Sequence, residues 1–173
     1  MLLRVHDRFD EGGFADLFHI PEDRTVYKLF RRFSSDSQGK GVHDLFNAET
    51  AAFVRAHTHD DLRKHVPAFH GHVKIEAVFE EDGSNLSDRY HLDCCYCLEH
   101  LAGKGLKYGW LPDDAKPAAE SLVARFEGVG INHVTDADFF GWEDPGSMKV
   151  VDIATYDVVA SLPQFFMQPK AGA

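Results

Sequence analysis

The chain is short of cysteine, of positive charge and of long apolar runs, and each shortage excludes something. Its three cysteines, Cys94, Cys95 and Cys97, fall within one apolar segment. An odd, clustered set suits reduced core thiols and argues against a disulfide framework. Side chains alternate along an extended strand, so Cys95 and Cys97 should share one face while Cys94 points away. His91 and His100 lie close enough to bring zinc to mind. The paired CxxC knuckles of a structural zinc site are absent, however, and buried thiols are the expected use. With 18 Lys and Arg against 28 Asp and Glu, the net charge is -10 and the pI is near 5.5. That balance argues against a general affinity for phosphate backbones or anionic membranes. No apolar run approaches membrane-spanning length, and Met1 to Asp7 is too polar for a signal peptide. The expectation is a soluble chain that is cytoplasmic, or delivered into another cell's cytoplasm, with neither nucleic acid nor membrane as partner.

What is present is enough apolar material for one core. A chain of 173 residues with 44% hydrophobic content argues for a single domain. Residues 3 to 10, 13 to 20 and 24 to 31 read as a three-stranded meander, the last two strands joined by Pro21-Glu22-Asp23. A polar stretch covers residues 34 to 41. Val42, Leu45, Phe46, Ala48, Ala52 and Phe53 then recur at helical spacing, which predicts a helix over 42–56 with Glu49 close to its apolar stripe. Residues 66–73 and 75–79 read as a strand that continues past a bend, 80–85 as a turn, and Tyr90 to Leu98 as a central strand. Beyond Gly105 the pattern turns helical, most clearly over 113–126. Two short strands, 138–141 and 149–152, should pair around a turn at 142–147. A last helix or turn is expected over 153–165, and residues 168–173 should fray. The fold class is therefore α+β, an antiparallel sheet with one helix followed by a smaller, more helical half.

The stretch richest in chemistry is Phe9 to Ile20, a hairpin carrying Gly12 and Gly13, followed by Thr25-Val26-Tyr27-Lys28-Leu29-Phe30. Glycines without Cβ let a turn lie close against phosphates, and a lysine on the adjoining strand can reach them as a point charge. The alternative is an ordinary hairpin with a lysine snorkelling from its edge.

Glycine hairpin, strand lysine, helix glutamate, apolar strand, helix, acidic loop and a strand ending in aspartate follow one another from about Phe9 to Asp157. In that order they resemble a protein kinase-like domain. The resemblance implies a two-lobed fold with residues 1–99 as N-lobe, 100–103 as hinge and 104–173 as a shortened C-lobe. It also implies ATP and Mg2+ as cofactors. Asp10, Gly12 and Ala15 stand where the family's three glycines usually stand, and Phe14 matches the aromatic at the loop tip. Gly12, Gly13 and Phe14 would thus cover the phosphates. Lys28 would contact them, and Glu49 would orient Lys28, an ion pair holding the ammonium extended. A solvated helix face is the alternative for Glu49. Glu99, His100 and Leu101 match the adenine-binding hinge by position, and a plain strand exit explains them equally well.

Residues 130–140 resemble the catalytic loop, and Val150-Val151-Asp152 resembles the strand ending in the metal-binding aspartate. Asp138 stands where the family has its second metal ligand, an asparagine. Two carboxylates at neighbouring strand ends suit magnesium, although a solvated acidic turn would explain them too. At the base position the spacing supplies Thr135 or His133. Asp136 is the expected catalytic carboxylate, accepting a proton from a hydroxyl nucleophile or orienting it. His133 could itself act as base, or pack against the loop and cap its backbone.

The resemblance implies an ATP- and Mg-dependent phosphotransferase acting on a hydroxyl, a protein Ser or Thr ahead of a small molecule. Two other readings stay open. One is a pseudokinase that binds nucleotide or a partner without transfer, and the other is an unrelated α+β binding module. About twenty residues follow Asp152, too few for the usual activation segment and lower-lobe bundle. A protein substrate would therefore be gripped by another surface or by a partner. Phe165-Phe166-Met167 should pack as core, and His43, His57, His59, His65, His70 and His72 show no ligand spacing on a shared face.

Overall fold

A computed structural model of the chain describes residues 1–11, 13–33, 40–132, 134 and 137–155. The first half runs β1 (Leu2–Arg4), β2 (Arg8–Glu11), β3 (Ala15–Ile20), β4 (Thr25–Arg31), α1 (Lys40–Thr58), β5 (Phe69–His72), β6 (Ala77–Phe79) and β7 (Tyr90–Glu99). The second half runs β8 (Leu106–Lys107), α2 (Lys116–Gly128), β9 (Ile131–Asn132), β10 (Asp138–Phe140), β11 (Lys149–Val151) and β12 (Ala154–Thr155). The architecture is α+β, with antiparallel ladders throughout except for one parallel pair. No described helix is long and apolar enough to cross a membrane.

The main sheet has the order β2-β3-β4-β7-β5. Its centre is β4, in which alternate residues serve opposite faces: Tyr27 and Leu29 enter one core, Phe30 the other. The same alternation in β7 sends Cys95 and Cys97 to the first face and Cys94, Tyr96 and Leu98 to the second. All three thiols are free and buried, as the strand periodicity predicts.

α1 covers the second face. Val42, Phe46, Phe53 and Ala56 form its buried stripe, and Glu49 lies inside that stripe, three residues after Phe46 and four before Phe53. Fully burying one such phenylalanine stabilises the fold by roughly 1.5–3 kcal/mol, so the stripe fixes the helix's rotation and carries Glu49 inward with it. The helix runs one turn longer than the apolar spacing predicts.

Four expectations are corrected. The segment 3–10 is not one strand, because a 3-10 turn over Val5–Asp7 separates β1 from β2. β1 instead pairs in parallel with β6, Leu2 facing Ala77, and buries Leu3 on the sheet's other face. This removes 77–79 from the main sheet, which takes only 69–72. The second helix starts at Lys116 rather than 113, because Pro117 stands in its first turn and the Pro112 carbonyl already closes a turn onto Ala115 and Lys116. Of the expected helix or turn over 153–165, Ala154–Thr155 forms a strand on β9, and residues from 156 onward lie outside the described set.

β10 and β11 pair around the 142–147 turn as expected, and β8 joins β10 on its other edge. One core runs through both halves: Phe53, Tyr96 and Phe30 from helix and sheet pack in the same cluster as Phe126, Phe139, Val150 and Ile153. That shared core brings the end of β11 up against the underside of β4.

Candidate functional site

Lys28 projects from β4 towards α1, because its neighbours Tyr27 and Leu29 claim the opposite face. Its ammonium meets two carboxylates, Glu49 Oε2 at 2.9 Å and Asp152 Oδ1 at 2.7 Å. Glu49 Oε1 also accepts from it at 3.1 Å. Tyr96, directly across the β4–β7 ladder from Lys28, donates its hydroxyl to Glu49 Oε2 at 2.5 Å. The rings of Phe30 and Tyr96 lie 5.6 and 6.0 Å from the ammonium, close enough for a cation–π contribution. Sheet, helix and lower strand thus supply one member each to a single charge cluster.

The cluster is graded in exposure. The Lys28 and Glu49 side chains are 14% and 8% exposed, whereas Asp152 is 45% exposed. Burial by itself would lower the Lys28 ammonium, but the charges of Asp152 and Glu49 outweigh it and hold the pKa above the ordinary lysine value, so the group stays cationic. For Glu49 burial is the largest influence and Asp152 adds to it, so the carboxyl is raised in spite of Lys28 and Tyr96. Burial and the Glu49 charge push the Tyr96 phenol well above its usual range. Asp152 goes the other way: burial would raise it, but Lys28 and then Lys107 pull it below the ordinary carboxylate value.

Asp152 has a left-handed backbone, φ 60°, a conformation aspartate tolerates better than most residues at a cost of roughly 1–2 kcal/mol. The turn it makes ends β11 and starts the chain towards β12. Asp138 sits on the neighbouring strand opposite Val151, one residue before Asp152. Its Oδ2 is 3.1 Å from the Lys107 ammonium of β8. Burial raises the Asp138 carboxyl, Lys107 opposes this, and the charges of Asp152 and Asp10 add to the rise. Asp10 belongs to the glycine hairpin, so hairpin and lower strands share one electrostatic neighbourhood.

The remaining expected residues divide into three groups. Lys28, Glu49, Asp138 and Asp152 come together. Gly13 is exposed, with open space where a Cβ would stand, and Phe14 beside it is half-buried, edge-on to Phe33 with ring centroids 6.0 Å apart. The Glu99 carboxylate accepts from the Ala68 N–H at 3.1 Å and pairs with the Lys149 ammonium at 2.7 Å. Burial would raise Glu99, but these contacts hold it below the usual range. Leu101 is half-buried, and among the described residues no backbone hydrogen bond engages it. Gly12, His133, Thr135 and Asp136 lie outside the described residues.

Three participants carry no signature in the sequence. Tyr96 is one apolar residue among several in its strand, and only the β4–β7 register sets it beside Lys28. Lys107 and Lys149 are solitary lysines whose partners lie on strands far off in sequence. No family model matches the chain, and no curated protein matches it.

Proposed function

We propose that the protein is a kinase-like nucleotide-binding phosphotransferase, using ATP and magnesium to phosphorylate a hydroxyl group. The observation that carries this reading is the double engagement of Lys28, held by Glu49 from the helix at 2.9 Å and facing Asp152 from the lower strand at 2.7 Å. A stability pair needs only two partners. A third, half-exposed carboxylate on the same ammonium is what a site for a polyanion with its cation calls for, since the ligand can take over the contact.

Each residue then has a task. Glu49, braced by the Tyr96 hydroxyl, keeps the Lys28 ammonium extended, and Lys28 binds the phosphates as a fixed positive charge. The backbone around Gly12, Gly13 and Phe14 lies against the phosphates, and the chain from Glu99 to Leu101 offers backbone groups to the adenine. Asp138 and Asp152 are hard oxygen donors on adjacent strand ends, a donor set that fits magnesium. Bound there, magnesium neutralises charge on the transferred phosphoryl group. Asp136 orients the acceptor hydroxyl and takes its proton. The two-lobed kinase-like fold and the hinge at 100–103 belong to the same proposal, supported by the β4 lysine and the α1 glutamate of a single sheet-and-helix unit.

The test is single-turnover transfer from γ-labelled ATP with magnesium to Ser/Thr peptides and to the chain itself, with Asp152→Asn as control. Label in product with the wild type and none with the variant is expected. Tight, magnesium-dependent nucleotide binding with no product favours the second reading, a nucleotide-binding module without transfer. Its specific support is the ion pair between Asp138 and Lys107, which occupies a carboxylate that the reaction would need. Absence of any nucleotide binding rejects both.

A further inference from the structure

Among the described residues, one cluster of metal-ligating side chains lies apart from the charge cluster at Lys28. His43 is in the first turn of α1, and Asp93 and Cys94 are in β7. Their ligand atoms all lie within 4.8 Å of one another. Consecutive strand residues ordinarily face opposite sides of a sheet. Here the ladder is broken: Leu29 pairs with Cys95 and Arg31 with Tyr90, so residues 91–94 bulge away from β4. A bulge re-aims side chains, and this one brings Asp93 to the helix side that Cys94 already faces. A second imidazole, His91, lies edge-on to His43 with ring centroids 5.1 Å apart.

We propose that His43, Asp93 and Cys94 form a divalent transition-metal site, best matched to zinc, which ties the start of α1 to the bulge of β7. Mixed nitrogen, sulfur and carboxylate donors are the set that zinc favours, whereas magnesium and calcium take oxygen alone. Tetrahedral zinc with ligands at 2.0–2.3 Å requires ligand separations of about 3.3–3.8 Å, so small side-chain rotations close the observed spacing. The fourth position is open to water or, after a ring rotation, to His91. On binding, the Cys94 thiol gives its proton to solvent as the Zn–S bond forms, and His43 coordinates as the neutral imidazole. Cys94 is buried and Asp93 exposed, so the ion enters from the solvent side. Glu49 lies six residues beyond His43 on the same helix, about 9 Å along its axis. Occupancy therefore fixes the element that positions Lys28.

Cobalt titration of the reduced, chelator-stripped full chain tests the site. The wild type should bind one equivalent of Co2+, with visible bands of tetrahedral intensity and a near-ultraviolet thiolate-to-cobalt band, and Zn2+ should bleach both. Cys94→Ser should abolish the thiolate band, Cys97→Ser on the opposite face should keep it, and His43→Ala and Asp93→Asn should each weaken cobalt binding at least tenfold. Failure of the wild type to bind cobalt, or a thiolate band that survives Cys94→Ser, overturns the proposal. Circular dichroism of the metal-free Cys94→Ser variant checks its fold. Should that variant not fold, unchanged cobalt affinity in His43→Ala, a half-buried helix position, overturns the proposal equally.

Discussion

The Lys28 ammonium and the Asp152 carboxylate meet at 2.7 Å across 124 residues of chain. No local preference joins them. The contact exists because β4 lies at the centre of its sheet and because Phe139, Val150 and Ile153 share a core with Phe30 and Tyr96. Three charges consequently sit on one another with Lys28 in the middle, and the consequences of removing each can be ordered.

Loss of Lys28 should be severe for stability, not only for binding. Lys28→Met leaves Glu49 buried with no cation, a situation that costs roughly 3–5 kcal/mol. In Lys28→Met/Glu49→Gln the amide still accepts the Tyr96 hydroxyl and carries no charge, so at least half of the loss should return. Urea unfolding of the two variants measures this. A single variant within about 1 kcal/mol of wild type would mean that Glu49 is not charged in the folded protein.

Periodicity places Glu49 close to the apolar stripe of its helix and Lys28 among apolar strand neighbours, whereas their pairing is expected only from the resemblance to a kinase-like domain. The α+β class and the β10–β11 pair followed from the same periodicities. The split of 3–10 into β1 and β2 was not legible, since both pieces look like strand and only the parallel partner Ala77–Phe79 separates them. Nor was the tie between Asp138 and Lys107, which depends on the two-residue strand β8, too short to have a period. The bulge in β7 is a third such feature: alternation sets Cys94 on the face opposite Cys95 and Cys97, and unbroken alternation would turn Asp93 away from Cys94.

Acid should weaken the contribution of Asp152 and spare the rest. Its carboxyl lies below its unfolded value of about 3.9, so its stabilising share is fully present above that pH and is lost as the pH falls through the folded value. Glu49 is raised, so its share runs in the opposite sense, present at low pH and lost as the pH rises through its folded value. The difference in urea midpoint between wild type and Asp152→Asn should therefore shrink as the pH falls below about 4. Parallel curves down to pH 2 would show that Asp152 is not held in its ionised form by Lys28.

Tyr96 braces Glu49 by one hydroxyl. Tyr96→Phe keeps the ring contacts to Phe30, Phe53 and Phe69 and deletes only the donor to Glu49 Oε2. A hydrogen bond to a buried charged group contributes roughly 1.5–3 kcal/mol, and a loss of that size is expected on urea unfolding. Tyr108→Phe, whose hydroxyl reaches Glu120 at the exposed surface, should cost less. Under the phosphotransferase reading, Tyr96→Phe should also weaken Mg-ATP binding, because a loosened Glu49 no longer extends Lys28. Equal effects of the two substitutions would remove Tyr96 from the site.

Two glycines at the end of α2 should respond to alanine with opposite signs. Gly128 is the last residue of the helix, with open space where a Cβ would stand, and alanine there should gain a few tenths to about 1 kcal/mol from reduced backbone entropy. Gly130 has φ +76°, and a Cβ on it would stand 2.6 Å from Arg55 Nη1. That guanidinium donates to the Val129 and Gly130 carbonyls at 3.2 and 3.0 Å, tying α1 to the turn after α2. Gly130→Ala should therefore lose about 1–2 kcal/mol to the left-handed backbone and a further share as Arg55 is displaced. For a chain of this size each kcal/mol moves Tm by about 2–4 °C, so thermal unfolding should separate the two variants clearly. Arg55→Ala should make Gly130→Ala less damaging than it is alone, because the clash and the tether are the same contact. Strict additivity of the pair would mean that Arg55 does not reach the turn, and that α1 is held over Lys28 by its apolar stripe alone.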